Sequence, residues 1–208
     1  MLFRSGFLMA HRDDYVINHT DHTGRYAYGQ QPRVMHWNLG CLAETLTPFL
    51  SVETLRAQLN TFPERYRHHY RSEMASRLAV DPAHNDLSEL VDGLKDVWSR
   101  EGMFYPELFI ALLDDSFNGL SKTSTETAVP RSLKVRWESM VEASQIEDAR
   151  TKSPAWMLSH WLLDHVIESA EAGDYSSVQS LRKAIHQGIG QPCDVATKLG
   201  GSPPDQNS

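Results

Sequence analysis

The spacing of apolar residues restricts the fold of this 208-residue chain more than any other feature: they recur every three or four positions from Trp37 to Ile185. A period near 3.6 builds one apolar helix face, whereas a half-buried strand needs alternation, which no stretch here sustains. Trp37, Leu39, Leu42, Ala43, Leu46 and Leu50 predict a helix from Val34 to about Leu46. Thr47-Pro48 ends it, because the residue before proline is pushed out of the helical region. Ser51 is a good N-cap for the next helix, with Glu53 suiting the dipole and Leu55, Leu59 and Phe62 as its stripe. Thr54 stands where a capping box would need Glu or Gln. A further helix, with Pro63 in its first turn, reaches Leu78 through Tyr66, Tyr70 and Met74. Leu87 to Trp98 and Tyr105 to Leu113 are two more, separated by Gly102. Leu133 to about Ala149, Trp156 to Ala172 (stopped at Gly173), and a last helix capped by Asp174 or Ser176 and running through Ile185 complete the pattern. The fold class expected is mainly α.

Between these stripes lie three segments without period. Residues 1–36 are broken by Asn18, Asp21, Gly24, Gly29 and Pro32 and read as irregular. Asn118 to Arg131, rich in Ser and Thr, reads as a loop, and Gly188 to Ser208 as a flexible tail. The division expected is therefore 1–36, 37–187 and 188–208. Lys and Arg number 20 against 27 Asp and Glu, a net charge of −7, which argues against a nucleic-acid partner because phosphate contacts need a basic face. No apolar run approaches the roughly 20 residues of a membrane span. His11, Arg12, Asp13 and Asp14 follow the N-terminal apolar stretch too soon for a secretory signal. Cys41 and Cys193 can form neither a disulfide framework nor a four-thiolate zinc site. An intracellular, cytoplasmic setting is expected.

The densest polar cluster is His11, Asp13, Asp14, His19, Asp21 and His22. Imidazoles and carboxylates can hold zinc, but the spacing is not that of a helical zinc pair. Turn-forming side chains that satisfy their own backbone explain the cluster as well, with Asp21 set to pair with Arg25. His11-Arg12-Asp13 with Asn18 spells the catalytic loop of a kinase, yet only ten residues precede it and no phosphate loop fits there. Cys41, on an apolar helix, reads as a buried structural thiol. His68 and His69 sit on a basic helix face. His160 and His165, five apart, point to different sides. Glu171-Ala172-Gly173-Asp174 reads as a helix stop followed by a cap.

One segment says more. Asn18-His19-Thr20-Asp21-His22-Thr23-Gly24-Arg25-Tyr26-Ala27-Tyr28, then Gln31-Pro32, Trp37-Asn38-Leu39 and Leu42-Ala43-Glu44-Thr45-Leu46, resembles the selenoprotein O family of kinase-fold protein adenylyltransferases. Members carry N-H-S-D-x-x-G-R-Y-x-[FY]-x-x-Q-P, then W-N-L and L-A-x-x-L. Phe62 to Leu78, Glu101-Gly102 with Tyr105 to Leu113, Ser153-Pro154, and Glu171 to Tyr175 are similar to later family elements. Ser159-His160 departs from the family's R-N.

The resemblance implies the helical C-lobe of a kinase-like fold plus a C-terminal helical extension, with residues 1–36 like an activation segment. It also implies ATP and Mg²⁺ or Mn²⁺ as cofactors of an intact member, and AMP transfer to Ser, Thr or Tyr of protein substrates. The family's glycine-rich segment, lysine and proton-accepting aspartate have no counterpart here. Gly6-Phe7 match the end of its D-Y-G-P-F-G-F stretch, whose metal aspartate falls on Met1. No catalytic, cofactor-binding or metal-binding residue is therefore assigned, and no transfer is expected from the chain alone. Asn18, His19, Asp21, Gly24, Arg25, Tyr26, Gln31, Pro32, Trp37 and Asn38 are expected to be structural. A separately encoded N-terminal lobe is the partner implied. A stand-alone helical scaffold and a His/Asp metal-dependent hydrolase are the alternatives.

Overall fold

The computed structural model describes residues 12–16, 20–101, 104–113, 129–188 and 190–199. The loop expected from Asn118 lies almost wholly outside them, as do Asn18, His11 and His19. Among the described residues the chain is helical, and the sole β feature is an isolated antiparallel bridge between Val80 and Val141. The chain divides into two compact units: Arg12–Glu73, and one that holds every described residue from Met74 onward.

The first unit contains a turn-rich segment, a 3-10 turn at Tyr28–Gln30, α1 (Gln31–Thr45) and most of α2 (Val52–Arg77). Helix α1 starts three residues earlier than its apolar stripe predicts, because Pro32 occupies its first turn. Proline has no N–H to leave unbonded there, and its ring presets the helical φ. Ser51 caps α2 as expected, its hydroxyl accepting the Thr54 amide at 3.2 Å. The two helices expected on either side of Pro63 are one. Pro63 sits inside α2 and removes the amide that would have bonded the Leu59 carbonyl. His36 of α1 replaces it, with Nε2 3.1 Å from that oxygen and its ring stacked on Phe62 at 5.3 Å. A carbonyl only accepts, so Nε2 carries the proton. Phe62, Tyr66 and Tyr70 continue the stack along α2. Cys41 is exposed, contrary to its expected burial, because α1 buries none of its residues.

The second unit has a packed interior. It comprises α3 (Leu87–Glu101), α4 (Tyr105–Leu113), α5 (Arg131–Glu138), α6 (Ile146–Lys152), α7 (His160–Glu171), α8 (Ser176–Gln187) and α9 (Asp194–Lys198). Leu87, Leu90, Leu94 and Trp98 turn the α3 stripe inward, and Trp98 stacks on Tyr105 at 4.6 Å. The single helix expected from Leu133 to Ala149 is broken at Ser139–Glu142. There Val141 bridges to Val80, and the Glu142 amide donates to the Ala79 carbonyl at 2.8 Å. Just before the break, Trp137 Nε1 donates to the buried Leu78 carbonyl. Helix α7 begins at His160 and not near Trp156, since Ser159 is its N-cap and accepts the Leu162 amide. Its stop matches the sequence: Gly173 takes φ +87°, the Asp174 amide reaches Ser169 O, and the Gly173 amide reaches Ala170 O. Asp174 then accepts the Ser176 amide at the start of α8. The tail reading needs correction for 190–199. Cys193, Val195 and Ala196 are buried there with Trp156, Leu162, Val166, Leu181 and Ala184.

Candidate functional site

The family-like residues build one local object in the first unit. Asp21 is its centre. Its Oδ1 accepts the amides of Thr23 (3.3 Å) and Arg25 (3.1 Å) and the Thr23 hydroxyl (3.1 Å), and its Oδ2 accepts the Tyr26 amide at 2.7 Å. These donors favour the charged form and hold the Asp21 carboxyl below the ordinary carboxylate range, the Tyr26 amide contributing most. Gly24 closes the turn at φ +71°, where a side chain is disfavoured. The Ala27 amide returns to the Gly24 carbonyl, and Ala27 is buried. Gln31, at the start of α1, donates from Nε2 to Tyr26 O at 2.8 Å, so the helix and the turn are tied together. Residues 12–16 brace the far side, through the Tyr28 amide to Tyr15 O and the Gly29 amide to Asp13 O, both 2.9 Å.

Asp21 does pair with Arg25, but through the backbone amide. The Arg25 guanidinium lies instead over the Trp37 ring, 4.7 Å from its centroid, and 5.6 Å from that of Tyr26. Turn and helix thereby enclose a cleft of about 540 Å³, lined by Thr23, Gly24 and Arg25 on one side and Gln30, Arg33, Val34 and Trp37 on the other. Among the described residues, no acidic side chain lines it. Arg33 was not singled out from sequence. The available signal was its spacing of four from Trp37, which puts both on one helix face. Asn38 is exposed on α1, and Asn18 and His19 lie outside the described residues.

The kinase-like triplet has a local explanation in its described part, Arg12 and Asp13. The Arg12 guanidinium forks onto Asp14 at 3.1 and 2.9 Å, which lowers the Asp14 carboxyl and raises Arg12. Among the described residues, no three His, Cys, Asp or Glu side chains gather as a metal site would require. The Asp21 oxygens are committed to four donors. The residues described thus do not fit a Mg²⁺ or Mn²⁺ centre. No described helix is long and apolar enough to cross a membrane.

The turn that sets Arg25 over Trp37 lies in the stretch that resembles a nucleotidyltransferase family, and comparison with known proteins agrees. The family model for protein adenylyltransferase SelO matches residues 5–186, so this chain belongs to that family. It is similar to the protein nucleotidyltransferase YdiU of Salmonella paratyphi B and of Salmonella typhi, 29% identical over 192 residues in each case. The match covers 88% of this chain and 40% of each relative, so the chain spans well under half the length of the curated relatives it matches.

Proposed function

We propose that this chain is the helical, protein-facing portion of a protein nucleotidyltransferase, and that it transfers AMP from ATP to Ser, Thr or Tyr hydroxyls only together with a nucleotide-binding portion it does not itself contain. The observation that carries this reading is the family match across 5–186 combined with coverage of 40% of each relative. Nucleotidyl transfer needs fixed cations and metal ions around the triphosphate. The residues the family uses for that purpose have no matching positions in this sequence. Exposed apolar side chains support the reading: Phe49 is 81% exposed, and Leu42 and Val52 are about half exposed. Apolar surface of this kind marks an interface, here one for the remaining portion of the enzyme.

Labelled ATP, with Mg²⁺ or Mn²⁺, tests the proposal in two arms: the chain alone, and the chain mixed with the N-terminal 60% or so of a YdiU relative. Label on protein is expected in the mixture alone, and the isolated chain is expected to bind a hydrophobic dye that the mixture binds less. Efficient labelling by the unaided chain would overturn the proposal, as would two portions that neither bind nor label.

A further inference from the structure

The cleft between the Asp21–Tyr26 turn and α1 carries an unusual charge arrangement for an acidic chain. Arg25 and Arg33 both line it, and among the described residues neither guanidinium meets a carboxylate. The nearest acid in sequence, Asp21, has its oxygens taken up by the turn's own donors. The Arg25 guanidinium lies over Trp37, 4.7 Å from the ring centroid, a contact with the ring face that leaves its N–H donors for a ligand. Gln30 adds an amide, and Val34 and the Trp37 ring supply an apolar wall.

We propose that this cleft binds an acidic segment of a protein, with side-chain carboxylates held by Arg25 and Arg33 and the segment's chain lying against Val34 and Trp37. A planar fork of N–H donors matches a carboxylate in two-point contact, and two such forks on one cleft select closely spaced acidic residues. At about 540 Å³ the cleft has the size of a site for several residues and is open to a chain passing through it. A long nucleic acid is a poor occupant, since the chain carries a net charge of −7. The inference deepens the proposed function by naming the acceptor's chemistry, and it rests on that reading only for calling the segment a substrate. Binding itself requires no transfer reaction.

The test is therefore a binding measurement on the full chain. Fluorescence-labelled peptides of equal length, one Glu/Asp-rich and one with each acid replaced by Lys, are titrated at low and high salt, with inorganic phosphate as a competitor. The acidic peptide is expected to bind and the basic one not, and affinity is expected to fall several-fold between 50 and 500 mM salt. Arg33→Gln, an exposed helix position, should weaken binding about tenfold with the helical circular dichroism unchanged, while Arg33→Lys should recover only part of it. Arg25→Gln should do the same and also alter Trp37 emission. Equal binding of both peptides, indifference to Arg33→Gln in a folded variant, or displacement of the peptide by millimolar phosphate would overturn the proposal. Failure of AMP transfer in the two-portion assay, with peptide binding intact, would instead remove the enzymatic reading and leave the site standing.

Discussion

Between Arg12 and Glu73, Ala27 is the only buried residue among those described, whereas from Met74 onward every described helix buries at least one residue and α3 and α4 bury a whole apolar face. The first region is held by directed contacts: the Asp21 turn, the Gln31 amide, the His36–Leu59 bond and a ladder of stacked rings. The second is held by burial, which is non-directional and scales with the area removed from water. One aromatic type in the two settings separates the mechanisms. Trp98 is buried against Tyr105 and Phe109, and Trp37 is 56% exposed beneath Arg25. Urea unfolding of Trp98→Ala should show a loss of about 3–5 kcal/mol, and Trp37→Ala a loss of about 1 kcal/mol or less. Equal losses would erase the distinction drawn between the units.

Within the buried unit, the break after α5 sharpens the comparison, because a directed bond there sits inside the apolar core. Trp137→Phe keeps most of the ring but leaves the fully buried Leu78 carbonyl without its Nε1 donor. The expected cost is about 1–3 kcal/mol, read as a lowered midpoint in the same titration. A neutral result would mean that another donor takes over that carbonyl, and that the bond does not position the break.

Legibility of the fold in the sequence is high where the physics is local. Tyr105–Leu113, the Ser51 cap and the Gly173 stop each depend on residues within a turn or two, so spacing and chemistry suffice to place them. It is lost where the deciding partner is distant in sequence. Pro63 ends a helix by every local rule, yet α2 continues because His36, 27 residues earlier, accepts the consequence. Ser139–Glu142 looks helical until the Ala79 and Val80 backbone is there to pair with it. Residues 190–199 look like tail until α7 and α8 supply a surface to bury Cys193. The cleft was half legible: resemblance marked Arg25 and Trp37, whereas the one signal for Arg33 was its spacing of four from Trp37.

The proline repair offers a test by cycle. His36→Ala should cost about 1 kcal/mol where Pro63 is present, since the Leu59 carbonyl then loses the Nε2 donor. In a Pro63→Ala background the residue 63 amide can bond Leu59 itself, and the same His36→Ala change should cost measurably less. The difference between the two costs is the coupling, read from thermal or urea unfolding of the four proteins. Additive effects would show that His36 contributes only its stack on Phe62, and that α2 tolerates the proline for another reason.

The smallest effect is confined to the turn. Asp21 has its carboxyl lowered by its amide and hydroxyl donors, so the folded turn binds the ionised form more strongly than an unstructured chain does. That contribution is present in full above the ordinary carboxylate value of about 4 and is lost as pH falls through the lower value of the folded turn. The Tyr26 amide, the shortest of the donors at 2.7 Å, is the reporter. Its hydrogen-exchange protection, corrected for the intrinsic pH dependence of exchange, should decline on acidification toward that of Asp21→Ala, which should itself be unprotected and pH-independent. The fully buried α3 amides of Leu90 and Leu94 should stay protected over the same range, because burial and not a carboxylate shields them. Simultaneous loss at Tyr26 and Leu94 would mean that the two units open together, and that directed and buried stabilisation are not separable in this chain.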